Sequence, residues 1–168
     1  VLQHPVTNEY LDARKQVEET LAAVVRSGLP SLWLWPNVDA GSDDVSKGLR
    51  VHRERHGDGK LHFYRNFPPE DYARLIANAA CVVGNSSSGL REGAFLGTPV
   101  VNVGSRQAGR ERGPNVTDAG YDAGQIRAAI DRQIAHGRYP RSTMFGDGTA
   151  GRQIAQHLAT APLRIQKR

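Results

Sequence analysis

The sequence predicts an α/β domain, a Rossmann-like three-layer fold with a parallel sheet of about six strands and helices on both faces. Three observations lead there. Apolar runs of strand length recur, each followed by a helix-like stretch. The runs are nearly continuous rather than alternating, as in strands buried on both faces. A length of 168 residues, 39% of them hydrophobic, suits one domain with its own core.

Each element follows in chain order. Val1-Leu2-Gln3 is the first strand, and Thr7 is a good N-cap for a helix over Asn8–Ser27. Leu11, Val17, Leu21, Val24 and Val25 recur there at helical spacing, and Gly28 is the stop signal. Ser31–Trp35 is a second strand, closed by Pro36, with Trp33 and Trp35 read as core packing. Asp43 to about His56 is a polar helix, ended by the turn Gly57-Asp58-Gly59. Leu61–Tyr64 is the third strand. Pro68-Pro69 opens a helix that turns Tyr72, Leu75, Ile76 and Ala79 one way. Cys81-Val82-Val83 is a buried strand, Gly84–Gly89 a loop, Leu90–Leu96 a short helix ended by Gly97, and Pro99–Val103 a fifth strand. Asn115–Thr117 is a short sixth, before helices over Asp122–His136 and Thr149–Ala159. Crossovers in such a sheet are right-handed.

Composition removes several classes of function. The net charge of +5 and pI near 9.7 suit a polyanion ligand. Yet the cations are mixed with acids, as in Arg53-Glu54-Arg55 and Arg110-Glu111-Arg112, and no platform of closely spaced aromatics exists. Nucleic acid is therefore not the expected partner; a smaller phosphate ester is. The single cysteine, Cys81, makes neither an internal disulfide nor a cysteine-based zinc cage, which points to a reducing, cytoplasmic setting. Lying within an apolar strand, it is expected to be inert. No run approaches the roughly 18 apolar residues of a membrane helix, and the start lacks the pattern of a secretion signal. The opening on Val1-Leu2 without Met suggests a piece of a longer chain. His52 and His56 lie four apart on a helix, but they lack the Glu-first pattern of zinc hydrolases and an evident third ligand, so no metal is expected. Asn85-Ser86-Ser87 and Asn115-Val116-Thr117 match glycosylation sequons, though nothing else indicates secretion.

In such a fold the crevice at the C-terminal strand ends is where ligands bind, and the loops there carry the unusual chemistry. They are His4-Pro5-Val6-Thr7, Pro36–Gly41, Arg65-Asn66-Phe67, Gly84–Glu92 and Gly104–Glu111. Five of the 18 glycines fall in them, in a chain whose glycine content exceeds the usual 7% or so. Ser86, Ser87 and Ser88 before a helix N-terminus suit an anion, with main-chain N–H groups as further donors. The same serines also suit a plain helix cap, and the residues alone do not choose. The loop has no Gly-x-x-x-x-Gly-Lys, so it is not a P-loop. Glu92 would repel phosphate but suits a sugar diol. Arg106 matches diphosphate geometry, or is simply a loop arginine. His4, at a strand end, can serve as an acid or base near neutral pH, although a lone histidine is more often structural.

Taken together, these loops resemble the UDP-N-acetylglucosamine 2-epimerase family. The motifs are His4-Pro5-Val6-Thr7, Pro36-Asn37-Val38-Asp39-Ala40-Gly41, Gly84–Glu92 and Gly97-Thr98-Pro99-Val100. The run Asn102–Glu111 resembles the hydrolysing branch, which releases UDP and N-acetylmannosamine for sialic-acid-type biosynthesis, and Gly146-Asp147-Gly148 reads like the family's ending. The departures are mild: Val38 stands for the more usual Ile, and Gly93-Ala94-Phe95-Leu96 has a shuffled order.

The resemblance implies a GT-B architecture, in which two Rossmann-like domains enclose the active site. Residues 1–168 would be a single nucleotide-binding domain, the C-terminal half, with the N-terminal half as missing partner. Ser86 and Ser87 would bind the diphosphate of UDP or UDP-GlcNAc, with Arg106 beside it. Glu92 would hold the ribose, Asn37 and Asp39 would line the nucleotide side, and His4 would be the catalytic histidine. The family reaction is anti elimination of UDP to a 2-acetamidoglucal, then hydration. The base belongs to carboxylates of the absent half, so this chain alone would be inactive. No cofactor is implied, and a homo-oligomer is compatible with the full-length enzyme. The alternatives are the donor-binding domain of a GT-B glycosyltransferase and a non-catalytic nucleotide-sugar-binding module.

Overall fold

The computed structural model describes residues 1–57 and 59–162, so Asp58 of the Gly57–Gly59 turn lies outside the described residues. The elements are a 3-10 helix over Thr7–Asp12, α1 (Ala13–Ser27), β1 (Ser31–Leu34), α2 (Ser42–His56), β2 (Leu61–Tyr64), α3 (Pro69–Asn78) and β3 (Val82–Gly84). They continue as α4 (Ser87–Leu90), α5 (Glu92–Leu96), β4 (Val100–Val103), β5 (Val116–Ala119), α6 (Ala123–His136) and α7 (Ala150–Thr160).

All strand pairings are parallel. β1 pairs with β2, and β4 lies between β3 and β5. Leu2 joins the two groups, bridging Leu34 on one side and Gly84 on the other. The order is therefore β2, β1, Leu2, β3, β4, β5. Among the described residues the sheet has five strands where the sequence predicts six, because the segment Val1–Gln3 contributes a one-residue bridge. Its backbone bonds are few: Leu2 N–H donates to Val83 O at 2.9 Å, Asn85 N–H to Leu2 O at 3.1 Å and Leu34 N–H to Val1 O at 3.0 Å. The ladder then ends, since the His4 N–H turns to a side chain and Pro5 has no N–H.

Neighbouring residues on β4 show why both faces are covered. Val101 and Val103 join the core with Val17, Leu21 and Ile126 of α1 and α6. Val100 points oppositely, against Gly89 of α4 and Gly93 of α5. On the first face α1 packs on both α2 and α6, and on the second α3 packs on α5. Trp33 is fully buried in the core, and Trp35 packs partly buried against it, as expected. Tyr72, Leu75 and Ile76 of α3 line one groove with Ala79 just after the helix, as their spacing predicts. Cys81 is partly buried, and burial pushes its thiol up to about 12.

Other boundaries differ for local reasons. Thr7 caps no α-helix; it starts 3-10 turns kinked at Glu9, with α1 beginning at Ala13. The helix expected over Leu90–Leu96 is two short ones, starting at Ser87 and divided at Arg91. α7 follows its periodicity but buries none of its residues, leaving Leu158 68% exposed. Among the described residues no helix is long and apolar enough to cross a membrane.

Gly84 is where the sheet constrains the chain most tightly. Its φ is +133°, and a Cβ there would fall 2.0 Å from the Leu2 carbonyl oxygen. Gly84→Ala is accordingly expected to destabilise by about 2–6 kcal/mol, from overpacking plus backbone strain. Leu49, fully buried on α2, should cost about 2–5 kcal/mol on truncation to Ala, whereas Leu158→Ala should stay within about 0.5 kcal/mol. Urea unfolding of the three variants checks the order; an equal loss at Leu158 would show that α7 is packed.

Candidate functional site

The chain leaves the Leu2 bridge outward through β1 and β2, then returns to β3 on the other side. In open α/β sheets ligands bind at such a reversal, beyond the C-terminal strand ends; here the segment after Leu2 meets the loop after β3 at that point. Asn85, fully buried, holds the two together. Its Oδ1 accepts from the His4 backbone N–H at 2.7 Å, and its Nδ2 donates to the His4 carbonyl at 2.8 Å. The Asn85 carbonyl in turn accepts from Gln107 Nε2 at 2.7 Å and Arg106 Nη1 at 3.3 Å. One residue therefore ties together the loops that follow Leu2, β3 and β4.

His4 is 4% exposed. The Asn37 backbone N–H donates to its Nδ1 at 3.0 Å. Because that nitrogen accepts, the neutral ring carries its proton on Nε2. Burial, and after it the charge of Arg106, lowers the His4 pKa to about 4, with Asp39 acting the other way. His4 is thus neutral throughout the physiological range.

Arg106 and Asp39 approach to 3.9 Å with both side chains partly exposed. Such a pair is worth at most about 1 kcal/mol, so Asp39 orients the guanidinium without tying it up. His4, Asn37, Asp39 and Arg106 are therefore brought together. Ser86 and Ser87 follow Asn85 directly. Ser86 caps α4, its Oγ accepting from Ser88 N–H, and it also pairs with Ser88 Oγ at 2.9 Å. Ser88 Oγ meets Tyr72 Oη at 2.5 Å. The cap and the anion readings coexist, since a hydroxyl has one proton and two lone pairs. α4 has only four residues, so its N-terminus sums little macrodipole to offer an anion, and Arg106 is the cation nearest at hand through its bond to the Asn85 carbonyl. Glu92 is exposed at the start of α5, and its charge is felt at Tyr72. Burial chiefly raises that phenol's pKa, and the Glu92 charge adds to it.

Sequence reasoning missed the supports. Asn85 appeared only as part of a sequon; it and Asn115 are buried and hydrogen-bonded, which closes both to glycans. Gln107, Tyr72 and Glu9 were not singled out, yet Glu9 bonds Ser105 and accepts from Gln16 Nε2 at 2.8 Å. Beneath the Arg106 loop, Arg112 joins the Gln107 carbonyl at 2.8 Å to Asp118, which also accepts from Asn102 Nδ2 at 2.7 Å. The available signal was an Asn directly after an apolar strand, since a buried polar group requires partners. The His52 and His56 rings stand 4.8 Å apart. Among the described residues, no group of three or more His, Cys, Asp or Glu could hold a metal. Two concavities of about 510 and 440 Å³ lie elsewhere, between α1 and α2 and against α3 and β1; neither is lined by His4, Ser86 or Arg106.

The chain is also similar to known proteins along nearly its whole length. Residues 1–159 match the family model described as UDP-N-acetylglucosamine 2-epimerase. The chain is 32% identical over 168 residues to the UDP-N,N'-diacetylbacillosamine 2-epimerase (hydrolyzing) of Legionella pneumophila, covering 99% of this chain and 43% of that protein. It is 28% identical over 145 residues to the UDP-N-acetylglucosamine 2-epimerase of Neisseria meningitidis, covering 86% of this chain and 37% of that protein. In structure it is similar to the Methanocaldococcus jannaschii UDP-GlcNAc 2-epimerase solved with UDP-GlcNAc and UDP, with a TM-score of 0.71, 12% identity, and coverage of 95% of this chain and 45% of that one. That last likeness concerns the fold. The chain spans under half the length of these relatives. By its match over nearly the whole chain, it belongs to the UDP-N-acetylglucosamine 2-epimerase family.

Proposed function

We propose that this chain is the UDP-sugar-binding half of a hydrolysing UDP-GlcNAc 2-epimerase of GT-B plan, which works in the cytoplasm and converts UDP-GlcNAc and water to N-acetylmannosamine and UDP. The observation that carries the reading is the gathering of His4, Asn37, Asp39 and Arg106 beside Ser86 and Ser87 at the point where the strand order reverses. A relative of this family named as hydrolyzing matches along 99% of the chain.

Each residue has a physical part in the reading. Arg106, with Ser86 and Ser87, takes the diphosphate; a guanidinium matches two phosphate oxygens at once. Asn37 and Asp39 line the nucleotide side, and Glu92 accepts from ribose hydroxyls. His4 attends the departing UDP. Abstraction of the C2 proton needs a base matched to the task; in this reading carboxylates of the second, N-terminal half supply it, so this half is inactive alone. A cleft between two domains has no enclosed volume until both walls stand, which fits the absence of site residues from the two concavities.

UDP added to the ¹⁵N-labelled chain should shift amide signals across 84–92 and at Arg106. With one wall of the cleft, affinity should be near millimolar, about −4 kcal/mol. Silence there at ten millimolar UDP, or transfer of the sugar to an acceptor by the complete two-domain protein in place of free N-acetylmannosamine, would defeat the assignment. Arg106→Ala removes a charged partner worth about 1.5–3 kcal/mol. Affinity for UDP should fall by roughly tenfold or more, and the wild-type affinity should weaken as salt is raised. An Arg106→Ala chain that binds UDP as well as wild type would remove the diphosphate role.

A further inference from the structure

We propose that Asn85 is a positioning residue: through its two-bond clasp on the His4 backbone it fixes the imidazole as a neutral Nε2–H donor aimed at the leaving diphosphate oxygen. The donor role rests on the UDP-sugar reading above; the clasp and the tautomer do not.

Three contacts carry the inference. The Asn85 carboxamide donates to and accepts from the backbone of one residue, at 2.8 and 2.7 Å, so the His4 main chain cannot rotate without breaking two buried bonds. With that backbone fixed, the ring meets the Asn37 N–H at 3.0 Å through Nδ1. A main-chain N–H can only donate, so Nδ1 cannot carry the proton while the contact lasts. The same Asn85 also receives Gln107 and Arg106 on its carbonyl, so the donor and the cation that face the diphosphate share one anchor. The charged groups facing His4 are Arg106 and Asp39.

The chemistry follows from the tautomer. When the C1–O bond breaks, its electron pair goes to the diphosphate oxygen, whose charge grows. A fixed Nε2–H bond strengthens with that charge, and the proton stays on nitrogen throughout. A diphosphate leaves as a stable anion and needs no proton, so a neutral donor suffices. This is electrostatic stabilisation by a preorganised dipole rather than general acid catalysis.

Long-range ¹H–¹⁵N spectra of the histidine-labelled chain, with His4 assigned by its loss in His4→Gln, read the tautomer directly. The expected result is neutral Nε2–H from pH 8 to pH 5.5, with a through-bond coupling from the Asn37 amide to Nδ1. An Nδ1–H ring, or an imidazolium at pH 7, overturns the proposal. Asn85→Asp keeps the acceptor for the His4 N–H and loses the donor to its carbonyl; Asn85→Ser is the smaller alternative should the buried carboxylate prevent folding. In either folded variant the tautomers should mix, and the Asn37 amide should exchange with solvent at least tenfold faster, while the signals of Val101 and Ile126 stay in place. A folded variant with the wild-type tautomer and Asn37 protection shows Asn85 to be structural only, and overturns the positioning role. UDP should shift Nε2 and leave Nδ1 unmoved; UDP that binds without touching Nε2 overturns the donor role alone. Failure of UDP to bind defeats the nucleotide reading and the donor role with it, while the tautomer, measured without nucleotide, judges the clasp separately.

Discussion

A buried carboxamide that spends its hydrogen bonds on one backbone is the constraint around which the crevice is arranged. Asn85 and His4 lie 81 positions apart, on opposite sides of the reversal in strand order. Two bonds of the sort worth about 0.5–1.5 kcal/mol each would be minor on a surface. Inside the protein the cost of leaving either group unpaired is larger than the gain of pairing it. The pairing therefore acts as a specification: the loop after the central bridge has one place to be. Gly84 enforces it from the other side, since only a residue without a Cβ lets β3 pass the Leu2 carbonyl.

Much of the architecture could be read from the sequence because burial on both faces leaves a direct mark. Runs such as Cys81-Val82-Val83 and Pro99–Val103 have no amphipathic alternation to suggest a sheet open to water, and they form β3 and β4. Boundaries were harder where a short stretch had two comparable solutions. Thr7 looks like a helix cap by residue type, but the chain entering from Pro5 takes 3-10 turns first. Val1–Gln3 has the composition of a strand, yet strand length depends on which N–H groups find a neighbour. The Asn85 carboxamide, on another loop, took the His4 N–H; no local pattern encodes that.

The candidate site divides in the same way. His4, Ser86, Ser87, Glu92 and Arg106 stand out as residue types at strand ends, where chemistry can be argued without coordinates. The residues that orient them do not. Gln107, Arg112, Asp118 and Asn102 form a chain of contacts under the Arg106 loop, and each is an ordinary polar residue when read singly. The four-residue length of α4 was also invisible, and a helix that short sums little dipole at its N-terminus.

The central place of Leu2 in the sheet has a consequence for the order of events during folding. Leu2 pairs with β1 and β3 together, across separations of 32 and 82 positions. Closing loops of that size is costly in entropy and slow compared with forming a helix. On a ribosome, the Leu2 segment must wait, unpaired on one side, until Gly84 and Asn85 have emerged. Arg106 and Gln107 complete the anchor later still. Completion of the sheet's centre and formation of the His4–Asn85 clasp are therefore a single late event, and a partly made chain has helices α1 to α3 to protect it but not that clasp.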